Sequence, residues 1–507
     1  MFENQPKGLF ALALANTGER FGYYTMLAVF ALFLRANFGL EAATAGQIYS
    51  TFLALVYFLP LVGGILADKI GYGKCVTIGI MVMFLGYILL AIPLGAGGTA
   101  MGAMIAALVL ISFGTGLFKG NLQVMVGNLY DDPKYADKRD AAFSLFYMAI
   151  NIGAMFAPTA AVKIMEWAQT SLGVSVNDSY HFAFMVACAS LVLSIAIYYA
   201  CRPWFKHVEN SAKQVATTSG AKVEELTPEQ TKKRIVALCL VFAVVIFFWM
   251  AFHQNGLTLT YFANEFVQPL CTGVQTMAFD IINLVMIVVM VYGGFSLVQS
   301  KELKTKLISG GAILAALGVL TYKYLNISAE GITLSAPIFQ QFNPFYVVAL
   351  TPFSMALFGA LAKKGKEPSA PRKIALGMVV ATIAYIVMAV ACVGLLTPNA
   401  QAVAGEGATF VNANVLIYTY LILTFAELLL SPMGISFVSK VAPPKYKGMM
   451  MGGWFVATAI GNYLVSIGGN LWGDMPLWGV WSVFVGVCAV AAVFMFAMMK
   501  KLEDATK

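Results

Sequence analysis

Five ionisable residues lie in the middle of long apolar stretches of the sequence. They are Glu19, Arg20, Lys119, His253 and Glu427. A charged side chain deep in a membrane helix is costly unless it is paired or hydrated, so such residues usually mark the path of an ion or a substrate. Two carboxylates, two cations and an imidazole are groups that can bind a charged solute and carry a proton. The sequence therefore predicts a polar cavity inside an apolar protein.

The first apolar stretch carries the run NTGERFGYY, from Asn16 to Tyr24. Helical spacings of three and four residues place Asn16, Glu19, Arg20, Tyr23 and Tyr24 within one broad stripe. The amide, carboxylate, guanidinium and phenols can then face one cavity. A purely structural ion pair between neighbouring helices is the alternative, although buried pairs add little stability by themselves.

Two further stretches carry polar residues at helical spacing. Lys119 lies among small and amide residues in the run FGTGLFKGN, where it can bind an anionic ligand group, pair with a carboxylate, or serve the structure only. Tyr147 and Asn151 are one helical turn apart in a later stretch.

His253 is the histidine that falls in the middle of an apolar stretch, within FWMAFHQNG. An imidazole has an ordinary pKa near 6.5, so His253 is a candidate proton carrier, but a lone histidine can equally be a satisfied core residue. The aromatic residues Tyr57, Trp249 and Trp454 can line a pocket or simply pack, and their positions do not decide between these readings.

Two features predict moving parts. Pro432 follows Glu427 by about one turn, and a proline inside a helix produces a kink that can serve as a gating joint. The run GILADKIGYGK contains Asp68 and Lys69 beside the glycines of a tight loop. Such a loop can latch two helices in one state and release them in another.

The composition sets the class of protein. Of the 507 residues, 60% are hydrophobic and 11% are charged, and the mean hydropathy is +0.79. An average soluble domain has about a quarter charged residues, so soluble enzymes and nucleic-acid binders are excluded. The seven cysteines show neither a disulfide framework nor metal-ligand spacing, and we expect no cofactor and no metal.

Apolar windows of about 20 residues predict fourteen membrane helices in an all-α protein. Six lie in residues 1–202, a polar linker covers 203–233, and eight lie in 234–507. The eight include an extra helix pair at about 272–326. We expect the seventh helix to run unbroken from Ile235 to Phe262 and the eighth to start at Val274.

Almost all lysines and arginines outside the helices fall in alternate loops, together with the linker and the C-terminal tail. This bias predicts that both termini are cytoplasmic in a plasma (inner) membrane protein. We expect a monomer in the lipid bilayer, with no nucleic-acid partner.

Several motifs, taken together and in order, resemble the proton-dependent oligopeptide transporter family of the major facilitator superfamily. They are GGILADKIGYGK, GERFGYY, FGTGLFKGN, FSLFYMAINIGA, FWMAFHQNG, QQFNP, PRKIALG and AELLLSPMG. The resemblance covers nearly the whole chain. It implies two six-helix bundles, here with two extra helices, and uptake of di- and tripeptides with protons by alternating access.

The resemblance also implies roles for single residues. Arg20, Lys119 and Asn151 would hold the carboxylate end of a peptide, and Glu427 and Asn343 would hold the amino end. The remaining lining residues would be Tyr23, Tyr24, Tyr57, Tyr147, Trp454 and Thr458. A zwitterionic backbone needs one basic wall and one acidic wall, so the chemistry agrees with this assignment.

The chain departs from the family pattern in its charges. Asn16 and His253 stand where the family usually has acids, and Leu27 stands where it usually has an arginine. Lys119 thereby loses an acidic partner and is left with Glu427 or a substrate anion. Proton coupling, if retained, would use Glu19, Glu427 and His253.

The leading hypothesis is therefore a peptide symporter and not an enzyme. The alternative is an atypical member that transports another amphipathic anion or a modified peptide, or that works without protons. An intramembrane hydrolase is disfavoured because the usual hydrolase motifs are absent, and a channel because no filter repeat or ring of like charges is present.

Overall fold

The structure is a computed structural model that describes residues 5–135, 139–209, 226–443 and 446–505. Within these residues, fourteen helical spans are long and apolar enough to cross a membrane. This confirms the predicted number and the all-α class. Such stretches are stable as helices in a bilayer because a helix satisfies every backbone polar group within its own segment.

Six long helices form the first part of the chain. They are α1 (Lys7–Phe38), α2 (Ala42–Ile70), α3 (Tyr72–Ala91), α4 (Gly98–Asn128), α5 (Arg139–Leu172) and α6 (Val176–Ala200). Helix α1 packs on α5 and α6, whereas α4 packs on α2 and α3.

The second part of the chain holds the remaining elements. Its membrane helices and their short continuations are α7 (Pro228–Phe252), α8 (Thr258–Glu265), α9 (Ile281–Gln299), α10 (Leu303–Leu325), α11 (Phe342–Lys363), α12 (Ala370–Ala391), α14 (Asn414–Val441), α15 (Lys447–Tyr463), α16 (Ser466–Asn470) and α17 (Leu477–Ala497). The short helices α13 (Pro398–Val403) and α18 (Met499–Asp504) lie outside these spans.

Glycines let α4 approach its neighbours closely enough to set the position of Lys119. A Cβ atom on Gly63 of α2 would lie 2.1 Å from the carbonyl oxygen of Gly116, and one on Gly79 of α3 would lie 2.7 Å from that of Gly114. Small residues at such crossings are the usual means of packing membrane helices. Asn121 then fixes the α2–α4 contact by donating to the carbonyl oxygen of Gly63 at 3.1 Å.

The seventh span is broken, contrary to the prediction of one helix from Ile235 to Phe262. Helix α7 ends at Phe252, a 3₁₀ turn follows at His253–Gly256, and α8 starts at Thr258. The side chain of Gln254 bridges the break, since Nε2 donates to the carbonyl oxygens of Met250 and Val465, each at 3.1 Å. The break therefore places His253 at a helix end.

The extra helix pair consists of α9 and α10, which pack on each other and, through α9, on α11. Helix α9 starts at Ile281 and not at Val274, because residues 273–279 form a 3₁₀ turn and Asp280 caps the helix by accepting from the amide of Ile282 at 2.9 Å. Two short strands, β1 (Leu270–Cys271) and β2 (Ile332–Thr333), flank α9 and α10 in the sequence and form an antiparallel ladder.

The predicted linker is partly helical, because α7 already starts at Pro228 behind the capping residue Thr227. Residues 210–225 of the linker lie outside the described residues. The domain boundaries at 202 and 234 stay a prediction.

Candidate substrate-binding site

Glu19 and Arg20 form an ion pair within α1. The guanidinium donates through Nε and Nη2 to the two carboxylate oxygens, and each hydrogen bond is 2.5 Å long. The side chains are only 1% and 3% exposed, and the guanidinium carbon lies 4.5 Å from the ring centre of Tyr23. The pair joins adjacent residues of one helix, not two neighbouring helices. Its charges neutralise each other, so Arg20 is not a free cation.

Lys119 projects from α4 onto an aromatic residue of α2. Its ammonium nitrogen lies 4.2 Å from the ring centre of Tyr57, a cation–π contact. In the described part of the chain, no carboxylate lies within ion-pair distance of Lys119. The structure therefore does not pair Lys119 with Glu427, and Lys119 is a cation that can receive an anionic group.

Tyr57 also connects Lys119 to the broken seventh span. Its ring centre lies 5.9 Å from that of His253, and the imidazole stacks on Trp249 at 5.0 Å with an interplanar angle of 23°. His253 Nδ1 is hydrogen-bonded to the amide oxygen of Asn462 in α15. These contacts make Tyr57 and Trp249 part of one aromatic wall and hold His253 in a fixed orientation.

Glu427 lies on α14, and its hydrogen-bond partners among the described residues are neutral groups. Oε2 accepts from Nδ2 of Asn343 at 2.8 Å, and Oε1 accepts from the hydroxyl of Tyr147 at 3.4 Å. The amide of Asn343 also donates to Thr424 at 3.1 Å. Tyr147 belongs to α5, so this contact joins the first and second parts of the chain.

Contacts with neighbouring residues fix the positions of four other predicted lining residues. Tyr24 packs edge-on against Tyr23, at 5.2 Å between ring centres. Asn151 donates to the carbonyl oxygen of Tyr147 at 3.0 Å, and Thr458 donates to that of Trp454 at 2.9 Å. These donors are satisfied within their own helices, so their contribution is mainly to the shape of the cavity. The ring of Trp454 packs on α14 where a Cβ on Gly434 would meet it at 2.1 Å.

The predicted gating residues lie near the end of α2 and in the interior of α14. Lys69 is exposed near the end of α2, and the side chain of Asp68 lies outside the described residues. Pro432 lies inside α14. The tight loop is present, since Gly71 has a φ of 96° and links α2 directly to α3.

An ion pair that sequence reasoning missed joins the far end of α1 to α8. Arg35 pairs with Glu265, its guanidinium lies 4.6 Å from the ring centre of Tyr261, and Trp472 donates to the other carboxylate oxygen of Glu265 at 3.0 Å. The signal in the sequence was a lone arginine at the end opposite the lysine-rich loops. Its partner is 230 residues away and no local pattern indicates it.

Two glutamines before α11 make further contacts at the end where Arg35 pairs with Glu265. Gln340 donates to the carbonyl oxygen of Ala28 at 3.1 Å and to Thr260 at 3.0 Å, while Gln341 accepts from Thr159 of α5 at 2.8 Å. The two parts of the chain are thus joined at the end opposite Lys69. Among the described residues, no group of three or more histidine, cysteine, aspartate or glutamate residues is placed to hold a metal ion.

Fourteen membrane spans around a charged interior, closed at one end by contacts between two sets of helices, define a membrane transporter. The sequence matches the POT family model over residues 74–224 and 317–475, more than half of the chain. The chain belongs to the POT family, whose members are peptide transporters with the major facilitator fold.

Relatives agree with this membership, and solved structures share the fold. The chain is 28% identical to an uncharacterised transporter, YclF, of Bacillus subtilis strain 168, covering 94% of this chain and 90% of the relative. It is 25% identical to dipeptide and tripeptide permease A of Escherichia coli K12, covering 99% and 94%. Its fold is similar to that of a peptide transporter POT solved with sulfate, with a TM-score of 0.75, 23% identity and coverage of 100% and 96%.

A second solved structure has the same fold. It is a POT family transporter in complex with 5-aminolevulinic acid, with a TM-score of 0.73, 20% identity and coverage of 100% of this chain and 98% of the other. At this identity the likeness concerns the fold.

Proposed function

We propose that this protein takes up di- and tripeptides together with protons by alternating access. The observation that carries the proposal is the charge pattern of the cavity. Glu19 and Arg20 cancel each other, which leaves Lys119 on α4 as an unpaired cation and Glu427 on α14 as a carboxylate held by neutral donors. Among the described residues, a cation and an anion without ion-pair partners thus lie on opposite sets of helices and complement a zwitterion.

The lining supports tolerance of different side chains. Tyr57, Trp249 and Trp454 present rigid aromatic faces, which bind apolar and polar side chains alike. Specificity would then come from the two charged ends of the peptide backbone, and the distance between Lys119 and Glu427 would limit the peptide length.

Proton coupling would use Glu19, Glu427 and His253. Protonation of Glu19 would release Arg20 from its ion pair, and Arg20 could then join Lys119 at the substrate carboxylate. Protonation of Glu427 would remove the charge that holds the amino end and so favour release. The first step links a proton to binding of the carboxylate end, and the second links a proton to release of the amino end, which for symport takes place on the cytoplasmic side.

The charge pattern also fits other solutes with one amino and one carboxylate group, which is the second candidate. It is favoured by Asn16, Leu27 and His253, which replace charged residues usual in the family, and by the complex of a relative with 5-aminolevulinic acid. We further propose that the protein lies in the inner membrane as a monomer with both termini in the cytoplasm.

Exchange of labelled di-alanine across liposomes tests the substrate class. Unlabelled tri-alanine should compete as well as di-alanine, whereas tetra-alanine and 5-aminolevulinic acid should compete at least tenfold less well. Competition by 5-aminolevulinic acid alone would favour the second candidate. Absence of exchange with any of these compounds would contradict both.

A further inference from the structure

An apolar groove of about 480 Å³ lies between α2, α7 and α15, outside the substrate site. Its lining includes Leu61 of α2, Phe242 and Ile246 of α7, and Gly453 and Val456 of α15. The volume is in the range of cavities that hold small ligands, ~300–1,000 Å³. Nothing in the charge pattern of the cavity requires this groove.

The groove lies in the seam between the first and second parts of the chain. Leu61 is one turn beyond Tyr57 on α2, and Ile246 is two turns before His253 on α7. The groove therefore runs from beside the substrate site, at Ile460, towards the lysine-rich side of the protein.

The dimensions of the groove match one lipid tail. Met449 and Ile460 mark its two ends on α15 and are 65% and 44% exposed. At 1.5 Å per residue they are about 16 Å apart along the helix. This is about half of a hydrocarbon core of ~30 Å, the depth that one acyl chain spans. An apolar groove of that length, open at both ends within the bilayer, suits a single acyl chain.

Two lysines continue the lining of the groove towards the lysine-rich side. On α2, Leu61, Ile65 and Lys69 follow each other at four-residue spacing and so lie on one face. Lys69 is exposed and lies about 12 Å along the helix from Leu61.

On α7, Lys232, Ile235, Cys239 and Phe242 follow at spacings of three and four, again on one face. Lys232 is exposed and lies about 15 Å along the helix from Phe242. Glu229 lies one turn further out, so a phosphate must bind on the groove side of Lys232. Each lysine therefore lies beyond the groove on the helix face that continues its lining.

We propose that this groove binds one anionic phospholipid, with an acyl chain along α15 and the phosphate between Lys69 and Lys232. The combination of a one-leaflet apolar groove and two lysines at its mouth matches the tail and the headgroup of such a lipid. Because α2 belongs to the first part of the chain and α7 and α15 to the second, the bound lipid stabilises the arrangement of the helices seen here.

Native mass spectrometry of the delipidated protein tests this site. The protein is titrated with phosphatidylglycerol and with phosphatidylcholine of identical acyl chains. We expect one retained phosphatidylglycerol, bound about fivefold or more tightly than phosphatidylcholine, since each lysine near the headgroup adds about that factor. Lys232→Gln should lower this preference about fivefold, whereas Lys304→Gln, an exposed lysine at the start of α10, should leave it unchanged.

A second variant tests the acyl-chain part of the site. Val456→Phe fills the groove and should weaken both lipids by a similar factor, while the thermal unfolding midpoint shows that the variant is folded. Equal affinity for the two lipids in the wild type, or unchanged affinity in both Lys232→Gln and Val456→Phe, would overturn the proposal. So would a wild-type dimer that Val456→Phe converts to a monomer without loss of lipid, because the groove would then serve a second copy of the chain.

Discussion

The amide nitrogen of Asn343 lies 2.8 Å from Oε2 of Glu427 and connects α11 to α14 inside the membrane. Tyr147 of α5 reaches the other carboxylate oxygen at 3.4 Å. These donors orient the carboxylate without neutralising it, because both are uncharged. Glu427 is therefore ready to receive an ammonium group, and this arrangement is the basis of the assignment of the amino end of the substrate.

Glu427→Gln should weaken binding of di-alanine about tenfold or more, because the loss of a buried charge removes a charge-assisted hydrogen bond. N-acetylated di-alanine should lose much less affinity. Thermophoresis of the purified variants measures both affinities, with Glu166→Gln as a control because Glu166 is 50% exposed and pairs with Lys163. An equal loss for both peptides would remove Glu427 from the amino-end site.

Lys119→Gln should have the complementary effect. Binding of di-alanine should fall about tenfold, and binding of its C-terminal amide should change little, since Lys119 is the cation without an ion-pair partner in the described residues. Lys163→Gln is the matched control on α5. If the peptide and its amide lose affinity alike, Lys119 supports the structure and does not bind the carboxylate.

If His253 carries the coupled proton, His253→Asn should abolish the dependence of uptake on external pH while leaving exchange of di-alanine intact. The imidazole can carry a proton within the aromatic wall, and asparagine cannot. Uptake in liposomes is measured between pH 5 and 8, with the exposed His207→Asn as the control. A pH profile identical to that of the wild type would leave His253 with a packing role.

Swapping the charges of Arg35 and Glu265 tests whether their ion pair keeps the end opposite Lys69 closed. Arg35→Glu and Glu265→Arg should each slow uptake and increase the accessibility of a cysteine placed near Ala28, because each brings like charges together between α1 and α8. The double variant should restore uptake at least partly. Single variants with wild-type uptake, or a double variant no better than either single one, would show that the pair does not hold this end closed.

Gly71→Ala should destabilise the protein by about 1 kcal/mol or more, because an L-residue is strained at a φ of 96°. The thermal unfolding midpoint should fall accordingly. Gly64→Ala in the preceding helix α2 is the control, since no atom lies within 4 Å of its added Cβ and alanine favours a helix. Equal midpoints for the two variants would contradict the need for glycine in the α2–α3 loop.

Hydropathy alone predicted all fourteen spans, because the bilayer requires about 20 apolar residues for each. It did not predict the break at His253. That break depends on Gln254, which donates to the carbonyl oxygen of Val465 more than 200 residues away, and on Gly256, where a Cβ would lie 1.8 Å from the hydroxyl oxygen of Tyr49. The first contact lies within the second part of the chain and the second joins the two parts, so both depend on tertiary packing.

In the candidate site, too, the contacts between residues could not be predicted from the sequence. Helical spacing placed Glu19 and Arg20 on one stripe, but adjacent helical residues do not face each other, so their pairing depends on the arginine side chain folding back. The cation–π contact of Lys119 with Tyr57 depends on the glycine-rich crossing of α2 and α4. The residue types were visible in the sequence, whereas their partners came from tertiary packing.

The most direct test of the account is uptake of labelled di-alanine by liposomes that contain the purified protein, under an inward proton gradient and a membrane potential, with internal pH recorded at the same time. We predict accumulation of di-alanine above its external concentration, accompanied by internal acidification, with both abolished by a protonophore. Binding or exchange without accumulation would contradict proton-coupled uptake.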